Sequence, residues 1–194
     1  MVKAKFDQGE VINAATQLFW QNGYAQSSIQ DITRVTGLQP GSIYHAYGSK
    51  LGLFKRAIDH YGEQNKAALV AALLDCDDVP LAICQLLLFM INDAHAKDYC
   101  SCFLVKSQLE LTDDKTSSAF TLVQQQLQAA EEIFCEALEK DFSKEQARAH
   151  ASSLMMHIFG IRVYGLLNDD LSAMIRSAQQ GLPWLPWERA LGQQ

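Results

Sequence analysis

Apolar residues along this chain recur at three- and four-residue steps, and the strict alternation of a half-buried strand is scarce. The pattern predicts an all-α protein. Val11, Ile12, Ala15, Leu18 and Phe19 form one stripe and predict a helix from Asp7 to Asn22. Asn22-Gly23 stops it, because glycine suits the left-handed position that closes a helix. Ser27 and Ser28 are the N-cap residues for a second, short helix through Val35, with Ile29, Ile32 and Val35 turned inward. Asp31 follows Ser28 by three positions, where an acid favours a helix start. Gly37 ends this helix and Leu38 plugs the turn. Pro40 opens a third helix to about Tyr47, since the N–H it lacks would be unpaired at that position anyway. Gly48 stops it, and Ser49 caps a fourth helix that turns Leu51, Leu53, Phe54, Ala57 and Ile58 inward. Two short helices joined by a glycine-containing turn make a helix-turn-helix, braced by the helices before and after it.

From about Tyr61 the helices lengthen, with predicted spans 62–75, 79–96, 100–112, 116–140, 143–167 and 169–180. The breaks, at Asp77-Asp78-Val79-Pro80, Asp113-Asp114, Asp141 and Asn168-Asp169-Asp170, are rich in capping and turn residues. The tail from Gly181 carries Pro183, Trp184, Pro186 and Trp187 and predicts an extended segment packed by its indoles. No internal repeat or low-complexity tract interrupts the pattern. The expected organisation is a three-helix helix-turn-helix domain over 1–60, joined to a helical-bundle domain over 61–194.

Composition narrows the function classes. Of 194 residues, 48% are apolar and 20% charged, which is an ordinary soluble balance. No stretch approaches the roughly 20 apolar residues of a membrane helix. The first residues are polar and acidic where a signal peptide needs an apolar block, so the expectation is a cytoplasmic protein without a membrane partner. The five cysteines are then expected to be reduced. Cys100 and Cys102 lack the paired C-x-x-C elements of a structural zinc site, and no metal or cofactor is expected. No nucleophile–base constellation or phosphate loop stands out, so an enzyme is not expected.

The net charge of −6 is unevenly spread. Residues 1–60 hold six Lys or Arg against four acids, with His45 and His60 in addition, while the other 134 residues hold ten bases and eighteen acids. Contact with phosphates depends on this local field rather than on the whole-molecule sum.

The segment from Val11 to Ile58 resembles the DNA-binding domain of the TetR family of bacterial transcriptional regulators. The residues that carry the resemblance are Phe19, Gly23 and Tyr24; Asp31-Ile32-Thr33 of the second helix; the turn Gly37-Leu38; the recognition-helix core Gly41-Ser42-Ile43-Tyr44; and Gly48-Ser49-Lys50 at the start of the fourth helix. A recognition helix brings its N-terminal residues to base edges in the major groove. Here those are Gln39, Pro40, Gly41, Ser42 and His45. Ser42 and His45 can hydrogen-bond to bases, Gln39 can reach an adenine edge or a phosphate, and Gly41 lets the backbone approach. Pro40 has no donor and stands where many relatives carry a polar contact residue. The resemblance implies that Tyr44 holds a phosphate through its hydroxyl and that Lys50 is a phosphate lysine. Ser27 and Ser28 offer hydroxyls and free N–H groups to a phosphate, with Thr36 as a further contact.

The same resemblance implies a homodimeric repressor on a palindromic double-stranded operator, released by a small-molecule effector. Phe120, Val123, Leu127 and Phe134 on one long helix, and Ala151, Leu154 and Ile158 on the next, fall at interface spacing. Periodicity alone does not separate such an interface from an internal core. The effector pocket is expected at Phe89, Met90, Cys100, Cys102, Phe103, His157 and Tyr164. Two alternatives stand beside this reading. One is a DNA-binding scaffold of the same fold that recruits a protein partner. The other is a cysteine-based sensor of electrophiles or metals at Cys100 and Cys102, whose thiols the neighbouring Lys97 and Lys106 could activate.

Overall fold

The computed structural model describes residues 7–96, 99–167 and 170–192. Lys97, Asn168 and Asp169, named above, and Lys3 and Lys5, two of the six bases counted over residues 1–60, lie outside the described residues. All regular structure among the described residues is helical: α1 (Gln8–Asn22), α2 (Ile29–Thr36), α3 (Pro40–Tyr47), α4 (Lys50–Leu73), α5 (Val79–Asp93), α6 (Phe103–Glu110), a 3-10 turn at Thr112–Asp114, α7 (Ser118–Leu138), α8 (Lys144–Tyr164), α9 (Leu171–Gly181) and α10 (Trp187–Leu191). No helix among these residues is long and apolar enough to cross a membrane.

Two compact units emerge. One runs to Gln64 and also takes in Lys106–Leu127; the other comprises Asn65–Val105 and Gln128 onward. The first unit thus includes residues well beyond 60. It is built around Phe19, Phe54, Ile32, Ile43, Leu53 and Ile58, all essentially removed from water. Phe54 meets the Phe19 ring edge-on at 5.1 Å and the Tyr24 ring at 4.7 Å, so one aromatic cluster ties α1, the α1–α2 turn and α4 together. In the second unit, Leu73, Leu87, Phe134, Leu138, Leu154 and Leu182 are fully buried or nearly so.

Four expectations are corrected. The break near Tyr61 does not exist, because α4 runs unbroken to Leu73. Gly62, a potential helix breaker, is instead buried beneath Gln126. A Cβ there would lie 2.3 Å from Gln126 Oε1, so glycine makes room for a neighbour and ends nothing. Val35 does not complete the α2 stripe but is 39% exposed; Ile32 is fully buried and Ile29 half-buried. The helix expected from residue 100 starts at Phe103, after Ser101 takes a left-handed φ of 64°. The tail is not wholly extended: Trp187 opens α10, and its indole N–H donates to the Leu182 carbonyl at 2.9 Å inside the core.

Candidate DNA-contacting surface

The helix-turn-helix is set by local chemistry. Asp7 caps α1 by accepting from the N–H groups of Gly9 and Glu10. Gly23 ends the helix at φ 83° and returns an N–H to the Phe19 carbonyl. Ser28 then starts α2 with a reciprocal cap. Its hydroxyl accepts from the Asp31 N–H at 3.1 Å, and the Asp31 carboxylate accepts from the Ser28 N–H at 3.0 Å. The Ser28 hydroxyl also donates to that carboxylate, which, with a smaller contribution from Arg34, holds Asp31 below the usual carboxylate range. Gly37, at φ 69°, closes α2.

Ser27 is corrected by this geometry. It is fully buried and its hydroxyl donates to the Gly23 carbonyl at 2.6 Å, because the α1–α2 turn folds over it. It neither caps α2 nor faces outward. Thr36 is half-buried, and its hydroxyl donates to the Ile32 carbonyl and accepts from the Leu38 N–H, so the proton expected for a phosphate is already committed.

Helix α3 rests on the buried Ile43 and the half-buried Tyr47, whose hydroxyl is also buried. Gln39 occupies its N-cap position without a side-chain capping bond, and Pro40 supplies the first turn. Gln39, Pro40, Gly41, Ser42, Tyr44 and His45 are all exposed. Nothing lies within 4 Å of where a Gly41 Cβ would sit, so the backbone there is open to an approaching surface. Tyr44 is 49% exposed. Beside this helix, Lys50 starts α4 half-buried. Its Nζ lies 4.4 Å over the Tyr24 ring and 3.4 Å from the Ala25 carbonyl. Burial pulls the Lys50 ammonium below its ordinary pKa, while the charge of Glu110 opposes that.

Two residues of α6 hold the α1–α2 turn: Glu110, which the sequence reading did not single out, and Lys106, which it had set beside the Cys100 and Cys102 thiols. Glu110, from the end of α6, accepts the N–H groups of Tyr24 at 2.9 Å and Ala25 at 2.7 Å. Lys106, one turn earlier, donates to the carbonyls of Trp20 and Gln21. Burial, then the Glu110 charge, raises the Tyr24 hydroxyl pKa. No sequence pattern marks Glu110, because its partners are backbone groups.

In the second unit the expected pocket residues separate. Phe89 is 65% exposed, Phe103 is buried and Met90 packs at the margin of the core. Cys100 and Cys102 are half-buried and in no disulfide, and Cys102 lies within electrostatic reach of Arg162. Arg162 pairs with Asp93 at 2.8 Å; burial would lower its pKa, but its hydrogen bonds to Tyr99 and Asp93 keep it raised. No group of three or more His, Cys, Asp or Glu among the described residues could hold a metal ion. His157 and Tyr164 do come together, with Met156, Gly160, Met174 and Ser177, along an apolar groove of about 380 Å³ between α8 and α9. The His157 Nδ1–H donates to the Ser153 carbonyl at 2.8 Å, leaving Nε2 against Gly181.

The expected interface stripe is corrected too. Phe120, Val123, Phe134, Ala151, Leu154 and Ile158 are buried within the single chain, and Leu127 is half-buried. That spacing serves the internal core. The outward face of α8 carries Met156, Gly160, Val163 and Tyr164 instead.

Comparison with known proteins agrees with this geometry. The family described as bacterial regulatory proteins, tetR family, matches residues 11–57. The chain is similar to the HTH-type transcriptional repressor ComR of Escherichia coli (strain K12), 31% identical over 120 residues, which is 60% of this chain and 57% of that protein. It is also similar to the HTH-type transcriptional repressor BdcR of the same strain, 36% identical over 80 residues, 41% of this chain and 40% of that one. The chain therefore spans about half the length of the curated relatives it matches. Among solved structures, a cysteine mutant of the TetR family transcriptional regulator CifR, complexed with 26bp double-strand operator DNA, superposes with a TM-score of 0.79 at 19% identity over 96% of this chain and all of that one. At that identity the likeness speaks for the fold.

Proposed function

We propose that this chain, which through residues 11–57 belongs to the tetR family of bacterial regulatory proteins, is a homodimeric transcriptional repressor that reads a palindromic duplex operator with α3 and is released by a small-molecule effector. It acts by binding and carries out no chemical step. The observation that carries the reading is the exposure of Gln39, Pro40, Gly41, Ser42, Tyr44 and His45 on a helix anchored by the buried Ile43 and the half-buried Tyr47. Base-edge contacts fall to Gln39, Ser42 and His45, and phosphate contacts fall to Ser28, Tyr44 and Lys50. DNA contact thus belongs to residues 1–60, and sensing and dimerisation to 61–194.

Two half-sites about one helical turn of DNA apart require two recognition helices, hence two copies. The outward face of α8 supports that pairing. Met156, Gly160 and Tyr164 recur every four residues, Met156 is 74% exposed and Tyr164 58%, and no atom lies within 4 Å of a Gly160 Cβ position. A glycine between two large exposed apolar residues allows a second helix to approach closely. Release follows if the effector binds better to a dimer whose α3 spacing does not match the operator.

Mobility shifts on the promoter beside its own gene, repeated with a panel of small molecules, thiol reagents and copper, test this reading. A retarded complex that a compound dissolves supports it. Indifference to every duplex offered refutes it.

A further inference from the structure

We infer that Glu110 is a positioning residue for DNA binding: it sets the shelf on which the phosphate lysine Lys50 lies. The inference rests on the repressor reading above. Lys106 and Glu110 stand four residues apart on α6 and so share a face. A helix end leaves carbonyls of its last turn without partners inside the helix, and the turn that follows must find acceptors for its own N–H groups. Lys106 takes the carbonyls of Trp20 and Gln21, and Glu110 takes the N–H groups of Tyr24 and Ala25. One cation and one anion therefore grip opposite poles of a single turn. Hydrogen bonds to a full charge are the stronger kind, and Glu110 makes two.

The turn is shaped for this grip. A Cβ on Gly23 would lie 3.1 Å from Glu110 Oε2, at a backbone φ of 83° that side chains rarely adopt. The same two residues that Glu110 holds by their N–H groups support Lys50 from another side, Tyr24 by its ring and Ala25 by its carbonyl. A long lysine chain loses much rotamer freedom when it binds one phosphate. A shelf fixed beforehand takes part of that cost out of the binding step.

The direct electrostatic effect of Glu110 has the opposite sign. A carboxylate close to a phosphate-contacting lysine repels DNA, so a residue acting only by its charge would bind more tightly when removed. The experiment compares full-length wild type, Glu110→Ala, Glu110→Gln, Lys50→Ala and the Glu110→Ala/Lys50→Ala double variant. The probe is a duplex that the wild type selects from random sequence, titrated by fluorescence anisotropy over a salt series. Glu110→Ala is expected to weaken binding about tenfold, the effect of losing one charge-assisted hydrogen bond. It should also flatten the log K against log salt slope by about one phosphate contact and add almost nothing to Lys50→Ala. Glu110→Gln, which keeps one acceptor oxygen, should fall between, and it carries the test if the alanine variant unfolds. Wild-type selection of a duplex together with equal or tighter binding by the Glu110 variants, or independent losses in the double variant, overturns the positioning role alone. Failure of the wild type to select any duplex overturns the repressor reading with it.

Discussion

The ammonium of Lys50 sits 4.4 Å above the ring of Tyr24, a cation–π pair at the mouth of the α1–α2 turn. Tyr24 is itself locked against Phe54 at 4.7 Å, so the cation is tied through one aromatic stack to the core of its unit. Lys50 is half-buried, and its ammonium also donates to the Ala25 carbonyl at 3.4 Å. Lys50→Ala is therefore expected to weaken binding to all duplexes alike. The salt slope should fall by about one, and the unfolding midpoint should shift by no more than a partly exposed side chain allows. Anisotropy titrations over a salt series check this. An unchanged slope would remove Lys50 from the phosphate set.

Ser28 and Asp31 join stability to pH. The Ser28 hydroxyl is the main reason the Asp31 carboxyl titrates below its ordinary value. A carboxyl depressed in the fold contributes stability that is fully present above its unfolded pKa, about 3.9, and is lost as pH falls through the folded value. Ser28→Ala removes the cap hydroxyl and the largest part of that depression, while the bond from the backbone N–H of residue 28 and the Arg34 charge remain. At neutral pH it is expected to cost about 1 kcal/mol, the usual worth of an N-cap hydroxyl. The gap between wild type and variant should narrow as pH drops below about 4, measured by urea unfolding at a series of pH values. A gap that widened in acid would contradict the assignment.

Placement of the dimer contact on the outward face of α8 makes Tyr164 and Met156 the residues to change. Both are more than half exposed in the single chain, so Tyr164→Asp and Met156→Asp should leave the fold of one protomer within about 0.5 kcal/mol of wild type. Sedimentation equilibrium should find the wild type at twice the chain mass and Tyr164→Asp at the mass of one chain. A dimer that survived both charges would move the contact elsewhere.

Local chemistry accounts for what could be read directly from the residues. Gly23 and Gly37 mark helix ends, Ser28 with Asp31 marks a start, and Pro40 marks a first turn, each through bonds within four residues. The ends of α1, α2 and α3 therefore follow from the residues themselves. What the residues did not disclose depends on distant neighbours. Gly62 looks like a break until Gln126 is seen lying against it, 64 positions away. Ser27 and Ser28 are equal cap residues on paper, and only the closure of the turn over Ser27 separates them. The stripes on α7 and α8 identified a buried face correctly but not its occupant, since a subunit interface and an internal core share one period. Glu110 left no trace because the groups it binds are present in almost every residue.

Base discrimination by α3 gives the most direct test of the account. The measurement is the sequence preference selected from random duplexes by the wild type, Ser42→Ala and His45→Ala, read at each position. The account predicts a two-fold symmetric preference for the wild type, with each variant relaxing it at one or two positions per half-site by about 1–3 kcal/mol per base pair while keeping its salt slope. Variants that kept the full wild-type preference would show that α3 does not read the bases.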